Sequence, residues 1–140
     1  MPATCNDADA SRCKPGVVPL RCLIVDDSDH FKDAARPLLE ADGISVVGAA
    51  STTAEALRNC QELQPDVVLV DIDLGEESGF DLVPRLCAET GERPPRVILI
   101  STYDEQDFAE MIASSPALAF LSKPRLSGRA IDEILRRADA

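Results

Sequence analysis

Four short apolar runs recur along the chain: Cys22-Leu23-Ile24-Val25, Val67-Val68-Leu69-Val70, Val97-Ile98-Leu99-Ile100 and Leu118-Ala119-Phe120-Leu121. An unbroken run of this length reads as a strand buried on both faces, because a half-exposed strand alternates. With Ile44 to Ala50 added, the pattern predicts five strands, at about 21–26, 44–50, 66–71, 96–101 and 118–122. Helical spacing fills the intervals. The first helix runs through Leu38-Leu39. The second starts at Thr52 or Thr53, both good N-cap types, and reaches about Leu63 with Ala56, Leu57 and Cys60 on one face. The third carries Leu82, Val83, Leu86 and Cys87 and stops near Gly91. The fourth covers about 104–114 with Phe108, Met111 and Ile112 inward, and the fifth covers about 127–138, burying Ala130, Ile131, Ile134, Leu135 and Ala138. Pro37 and Pro84 fall inside two of these helices, so each helix is expected to kink there, or the third to start late with Pro84 in its first turn.

Strict alternation of strand and helix predicts an α/β fold, a doubly wound five-stranded parallel sheet of the flavodoxin-like (β/α)5 kind, with strand order 2-1-3-4-5. Residues 1–19, without periodicity and rich in Ala, Asp, Ser, Pro and Gly, read as a disordered N-terminal tail ahead of a single domain at 20–140.

Composition narrows the classes. A net charge of −11 sets the chain against nucleic-acid backbones and anionic membranes, so neither is expected as a direct partner. Five cysteines without a CxxC pair, and one histidine, make a zinc site an unfavoured reading. Cys22, Cys60 and Cys87 sit in apolar patterns as small hydrophobes, and reduced thiols point to a cytoplasmic location. No apolar stretch is long enough to cross a membrane, and the start lacks the pattern of a signal peptide.

The chemistry collects where the strands end. Asp26 and Asp27 follow the first strand, Asp71 ends the third, Ser101 ends the fourth, and Lys123 follows the fifth. In open parallel sheets the C-terminal edge binds ligands, and the order 2-1-3-4-5 puts strands one and three side by side at the switch point. Asp26, Asp27 and Asp71 then share one crevice. Three carboxylates so placed need raised pKa values or a cation. Mg²⁺, a hard oxygen-seeking ion, fits best, and its two charges with that of Lys123 balance the three carboxylates. A carboxylate nucleophile in such a pocket forms an aspartyl phosphate.

Leu23-Ile24-Val25-Asp26-Asp27-Ser28, then Val67 to Leu74 with Gly79 eight residues after Asp71, then Val97 to Ser101, then Phe120-Leu121-Ser122-Lys123-Pro124 closely resemble the receiver domain of two-component response regulators. The match spans about 21–138. The resemblance implies a phosphoprotein of two-component signal transduction or a phosphorelay. Asp71 is then the phosphoacceptor, taking phosphate from a sensor histidine kinase or histidine phosphotransfer protein. Asp27 and Asp71 bind Mg²⁺ directly with the backbone carbonyl of Asp73, and Asp26 acts largely through water. Ser101 is the hydroxyl that swings to the phosphoryl oxygen, Lys123 pairs with the phosphate, its bond to Pro124 is expected cis, and Phe120 is the aromatic switch. Output runs through the face of the fourth helix, fifth strand and fifth helix to an unidentified downstream protein.

The chain departs from the family at Gly75, where Pro is common, and at Pro116, where Gly commonly ends the fourth helix. Asp73 and Tyr103 lie where the family tunes phosphate lifetime, and Tyr103 is expected to shield the acyl phosphate. Plainer roles stand beside these. Phe120 is equally read as core, His30 as a surface residue at a helix entry, and most surface carboxylates as aids to solubility. Acidic residues on the fourth helix and arginines on the fifth are solvated faces, or else the two sides of a phosphorylation-dependent homodimer. The expected protein is a stand-alone receiver that turns over no free substrate. The alternatives are a receiver from a longer transcription regulator, a phosphate-independent binding module, and a carboxylate-nucleophile phosphatase.

Overall fold

The computed structural model describes residues 19–89 and 94–139. Of the predicted tail at 1–19, residues 1–18 lie outside the described residues, as does the predicted helix stop at Gly91. Seven strands occur among those described: β1 (Arg21–Val25), β2 (Ser45–Ala50), β3 (Val67–Asp71), β4 (Asp73–Leu74), β5 (Glu77–Ser78), β6 (Arg96–Ser101) and β7 (Ala119–Ser122). The five long strands form one parallel sheet in the order β2-β1-β3-β6-β7, which is the predicted 2-1-3-4-5 in the numbering of the βα repeat. The helices are α1 (Asp29–Ala41), α2 (Thr53–Leu63), α3 (Gly79–Glu89), α4 (Ala109–Ser114) and α5 (Gly128–Asp139).

The uninterrupted apolar runs are explained by two cores, one on each face of the sheet. Leu23, Val25, Val68, Val70, Val97 and Leu99 point to the side covered by α2 and α3. Their alternate neighbours Cys22, Ile24, Val67, Leu69, Ile98 and Ile100 point to the side covered by α1 and α5. Period-two alternation is therefore present in full, but both faces are apolar, so hydropathy along the strand cannot display it. Buried Cys22 and Cys60 have thiols pushed up to about 12 by that burial, which keeps them protonated and inert.

Helix starts follow their caps. Ser28 Oγ accepts from Phe31 N–H at 3.2 Å, and Thr52 Oγ1 accepts from Glu55 N–H at 3.2 Å. Four predicted features change. First, α3 begins at Gly79 rather than late, and runs through Pro84 as α1 runs through Pro37. Both prolines lie on exposed faces, so the backbone bond each removes is not one the core depends on. Second, the predicted fourth helix is two pieces, a 3₁₀ turn at Glu105–Phe108 and then the six-residue α4. Phe108 leaves helical geometry at φ −130°, and Asp104 offers no side-chain cap. Met111, expected inward, is 49% exposed. Third, Ala130 is half-buried and Ala138 exposed, because the buried side of α5 is centred on Ile131 and Leu135. Fourth, the Lys123–Pro124 bond, expected cis, is trans and lies in a 3₁₀ turn at Lys123–Arg125. None of the described helices is long and apolar enough to cross a membrane.

Candidate functional site

Strand register assembles the site. Val25 pairs with Val70, so the next residues, Asp26 and Asp71, stand side by side on adjacent strands. Asp71 pairs with Ile100, one residue before Ser101, and Ser101 pairs with Ser122, one before Lys123. Four separate stretches of sequence thus deliver their polar residues to one level of the sheet edge.

Each carboxylate there divides its oxygens between its own loop and the shared centre. Asp26 Oδ1 accepts from Ser28 N–H at 2.8 Å, and Asp71 Oδ1 accepts from Asp73 N–H at 3.0 Å. Ser101 Oγ accepts from Tyr103 N–H at 2.9 Å in the same i to i+2 pattern. These side chains fix their turns as Asx and Ser turns do, which leaves Oδ2 of each Asp free to face inward. Lys123 Nζ lies 2.7 Å from Asp26 Oδ2 and 2.9 Å from Asp71 Oδ2, bridging the two. Asp26 is fully buried, Asp71 and Ser101 are buried, and Asp27 is exposed at the rim.

Burial raises the Asp71 carboxyl to about 6, aided by the negative charge of Asp26 and opposed by the Asp73 N–H and by Lys123. The Lys123 ammonium is held above the usual lysine range. Burial is the largest single influence and acts downward, but the hydrogen bonds and charges of Asp26 and Asp71 together outweigh it.

A cation has a place prepared. Asp26, Asp27 and Asp71 each offer a carboxylate oxygen, and the three oxygens lie within 4.8 Å of one another. Asp26 Oδ2 is buried and, beyond the ion-pair contact with Lys123, accepts no hydrogen bond. An all-oxygen set with open lone pairs suits Mg²⁺ in character and number.

Phe120 is half-buried against the α2/α3 core, so its position agrees with a core residue as well as with a movable aromatic. Tyr103 lies edge-on to Phe108, ring centroids 6.0 Å apart, and is 54% exposed. His30 is an exposed residue in the first turn of α1, as its plainer role predicts.

Three features escaped the sequence. The ring of Phe31 lies under the Lys123 ammonium, 4.3 Å from Nζ to centroid. Its signal was its place three residues beyond an N-cap serine, on the α1 turn that faces the sheet edge. Lys32 is buried, donates to Ser51 Oγ and pairs with Asp29 at 3.2 Å. The antiparallel pair β4–β5 folds the loop after Asp71 into a hairpin. Its two-residue turn opens on Gly75 at φ +75°, as a type II′ turn requires.

A doubly wound sheet with paired acidic corners and a bridging lysine at its switch point defines a flavodoxin-like domain with an acidic pocket. A family model, response regulator receiver domain, matches residues 22–135, and the chain belongs to that family. Among its relatives, the transcriptional regulatory protein LiaR of Bacillus subtilis is 28% identical over 82% of this chain and 54% of its own length. A protein-glutamate methylesterase/protein-glutamine glutaminase of Symbiobacterium thermophilum is 33% identical over 76% of this chain and 29% of its own. A LuxR-family two-component response regulator from Aurantimonas sp. SI85-9A1 has a solved structure that superposes with TM-score 0.76 at 26% identity, over 86% of this chain and 87% of that one. The chain spans about half the length, or less, of the curated relatives it matches. Receiver domains are signalling modules that work with histidine kinases and downstream effectors and bind Mg²⁺ in an acidic pocket, and the Asp26, Asp27, Asp71 cluster is the corresponding feature here.

Proposed function

We propose that this receiver accepts a phosphoryl group on Asp71 from the phosphohistidine of a sensor kinase or histidine phosphotransfer protein. The supporting observation is the Lys123 ammonium bridging Asp26 Oδ2 and Asp71 Oδ2 at 2.7 and 2.9 Å. In the transfer, an Asp71 carboxylate oxygen forms the new bond to phosphorus while the phosphorus–nitrogen bond of the donor breaks and the imidazole leaves. The Asp73 N–H and the Lys123 ammonium orient the nucleophile through its two oxygens, and Lys123 follows the negative charge onto the phosphoryl group. Asp27, Asp71 and the Asp73 carbonyl would hold Mg²⁺, with Asp26 acting through water, and the bound ion would supply positive charge against the carboxylates and the incoming oxygens.

Ser101 exchanges its bond to the Tyr103 N–H for one to the phosphoryl oxygen, and Phe120 moves with it. The α4–β7–α5 face carries the change to a downstream protein. Tyr103 limits water access to the acyl phosphate. The protein performs only its own phosphorylation and dephosphorylation. The greater length of its relatives favours a second reading of its context, a receiver acting within a longer regulator.

Phosphoramidate with Mg²⁺ tests the proposal by intact-mass measurement. The expected result is gain of one phosphoryl group in the wild type and none in Asp71→Asn or in the presence of EDTA. A wild type that stays unmodified would instead favour a phosphate-independent module.

A further inference from the structure

We infer that the groove between α3 and the α4 segment docks an amphipathic helix of a partner protein that carries Lys or Arg beside its apolar stripe. Two open hollows form the groove, of about 820 and about 400 Å³, and they share Phe80 and Met111 as a common wall. Together they run from the β4–β5 hairpin along α3 to Pro116 at the end of α4. The floor is apolar and aromatic. Phe80 and Tyr103 flank Phe108 at ring distances of 6.0 Å each, with Ile72 and Leu82 beneath. Four large apolar side chains are exposed among the described residues, and two of them, Tyr103 and Met111, line this groove. An elongated trough with an aromatic floor and polar walls beside a helix takes a partner helix through apolar anchors at i, i+3 or i+4, and i+7.

Charge selects the occupant. Asp73, Glu76, Glu77 and Asp81 line the larger hollow and Glu110 the smaller. The basic residue in the lining is Arg85, whose guanidinium is engaged by Glu89 at 2.8 Å. An acidic or phosphorylated segment would be repelled, whereas a cationic flank would be steered in. A second copy of this chain does not supply the helix. Its basic amphipathic helix is α5, and the apolar residues Ile131 and Leu135 are already buried in its own core.

The groove also touches the site. Asp73 and Gly75 in its wall belong to the loop whose N–H at residue 73 holds Asp71 Oδ1. A helix seated there contacts the loop that phosphorylation would rearrange, so helix affinity and phosphoryl state influence each other reciprocally. This coupling rests on the proposed role of Asp71, while docking itself does not.

The test uses the full chain and a synthetic helix of about four turns, with leucines at the anchor spacing and lysines flanking them. Its controls are a scrambled peptide and a version with glutamates for lysines. The expected result is amide shift changes in NMR centred on Phe80, Arg85, Tyr103, Phe108 and Met111. Affinity should fall about fivefold in Met111→Gln and about fivefold in Glu76→Lys, and drop further as salt rises from about 0.05 to about 0.3 M. Both substituted residues are exposed, so neither variant threatens the fold. Equal binding of the scrambled or acidic peptide, shifts centred on α5 or α1, or no binding at millimolar peptide would overturn the assignment. Phosphoryl incorporation measured on the same samples separates the two claims: peptide binding without incorporation counts against Asp71 as acceptor and leaves the groove standing.

Discussion

Between Asp26, Asp71 and Phe31, the Lys123 ammonium has ion-pair partners on two sides and an aromatic face on a third. A ring at 4.3 Å attracts a cation by about 0.5–2 kcal/mol and excludes water from that side. Phe31→Leu keeps the bulk and loses the ring, and is expected to slow phosphorylation by phosphoramidate about three- to tenfold. Phe31→Tyr should restore the rate, and measuring all three under one set of conditions checks this. Asp71 carries a pH signature as well. Its carboxyl titrates near 6 in the folded protein against an ordinary value of 3.8, so the folded state binds that proton more tightly than the unfolded chain does. The stability it contributes is complete below about pH 4 and is lost as pH rises through about 6. In EDTA, Asp71→Asn is therefore expected to be no more stable than wild type near pH 4 and more stable at pH 7. The gain should be on the order of 1–2 kcal/mol after allowance for solvent screening. Denaturant melts at the two pH values check the sign, and a gain at pH 4 that vanishes at pH 7 would contradict it.

The loop elements after β3 show how tightly the backbone closes around Asp71. A Cβ on Gly79 would stand 2.1 Å from the Asp71 carbonyl oxygen and 2.9 Å from Ile72 Cα, so the start of α3 lies directly against the end of β3. Gly79→Ala is expected to cost about 1–3 kcal/mol and to lower the phosphorylation rate, measured by thermal melt and by intact mass. Gly75 is held at φ +75°, outside the range open to proline, and a Cβ there would lie 3.3 Å from Asp27 Oδ2. Gly75→Pro, which introduces the residue the family commonly has, should destabilise this protein by more than about 1 kcal/mol and abolish the β4–β5 amide pattern in NMR. The hairpin was invisible in the sequence because two-residue strands carry no periodicity, and Gly75 alone does not announce a turn type. The fourth helix was misread for a related reason. Phe108, Met111 and Ile112 have helical spacing, but Phe108 leaves helical geometry to pack between Phe80 and Tyr103, and that contact is set by tertiary structure. Helix α2 was legible because cap and stripe agreed, with Thr52 at the cap and Ala56, Leu57 and Cys60 on the buried face.

At the scale of the molecule, five strands in alternation with helices, the inner three buried and β2 and β7 only partly so, dictated the topology, and the topology dictated the site. Asp26, Asp71 and Ser101 were legible because each directly follows an apolar run, and Lys123 because only Ser122 separates it from one; parallel strands place all such ends on one edge. Phe31 and Lys32 were not, since their contacts depend on how α1 is rotated against the sheet. The same assembly concentrates negative charge at one end, so a divalent cation should stabilise the whole fold by mass action. Mg²⁺ at millimolar concentration is expected to raise the wild-type melting midpoint by a few degrees and to raise that of Asp27→Asn markedly less, read by calorimetry. The position of the acyl phosphate is the most direct check on the account. After treatment with phosphoramidate and Mg²⁺, borohydride reduction converts a phosphorylated aspartate to homoserine, which peptide mass spectrometry then locates. Homoserine at residue 71, and at neither 26 nor 27, is the predicted result. Reduction at Asp26 or Asp27, or at no aspartate in a chain that has gained the phosphoryl mass, would contradict it.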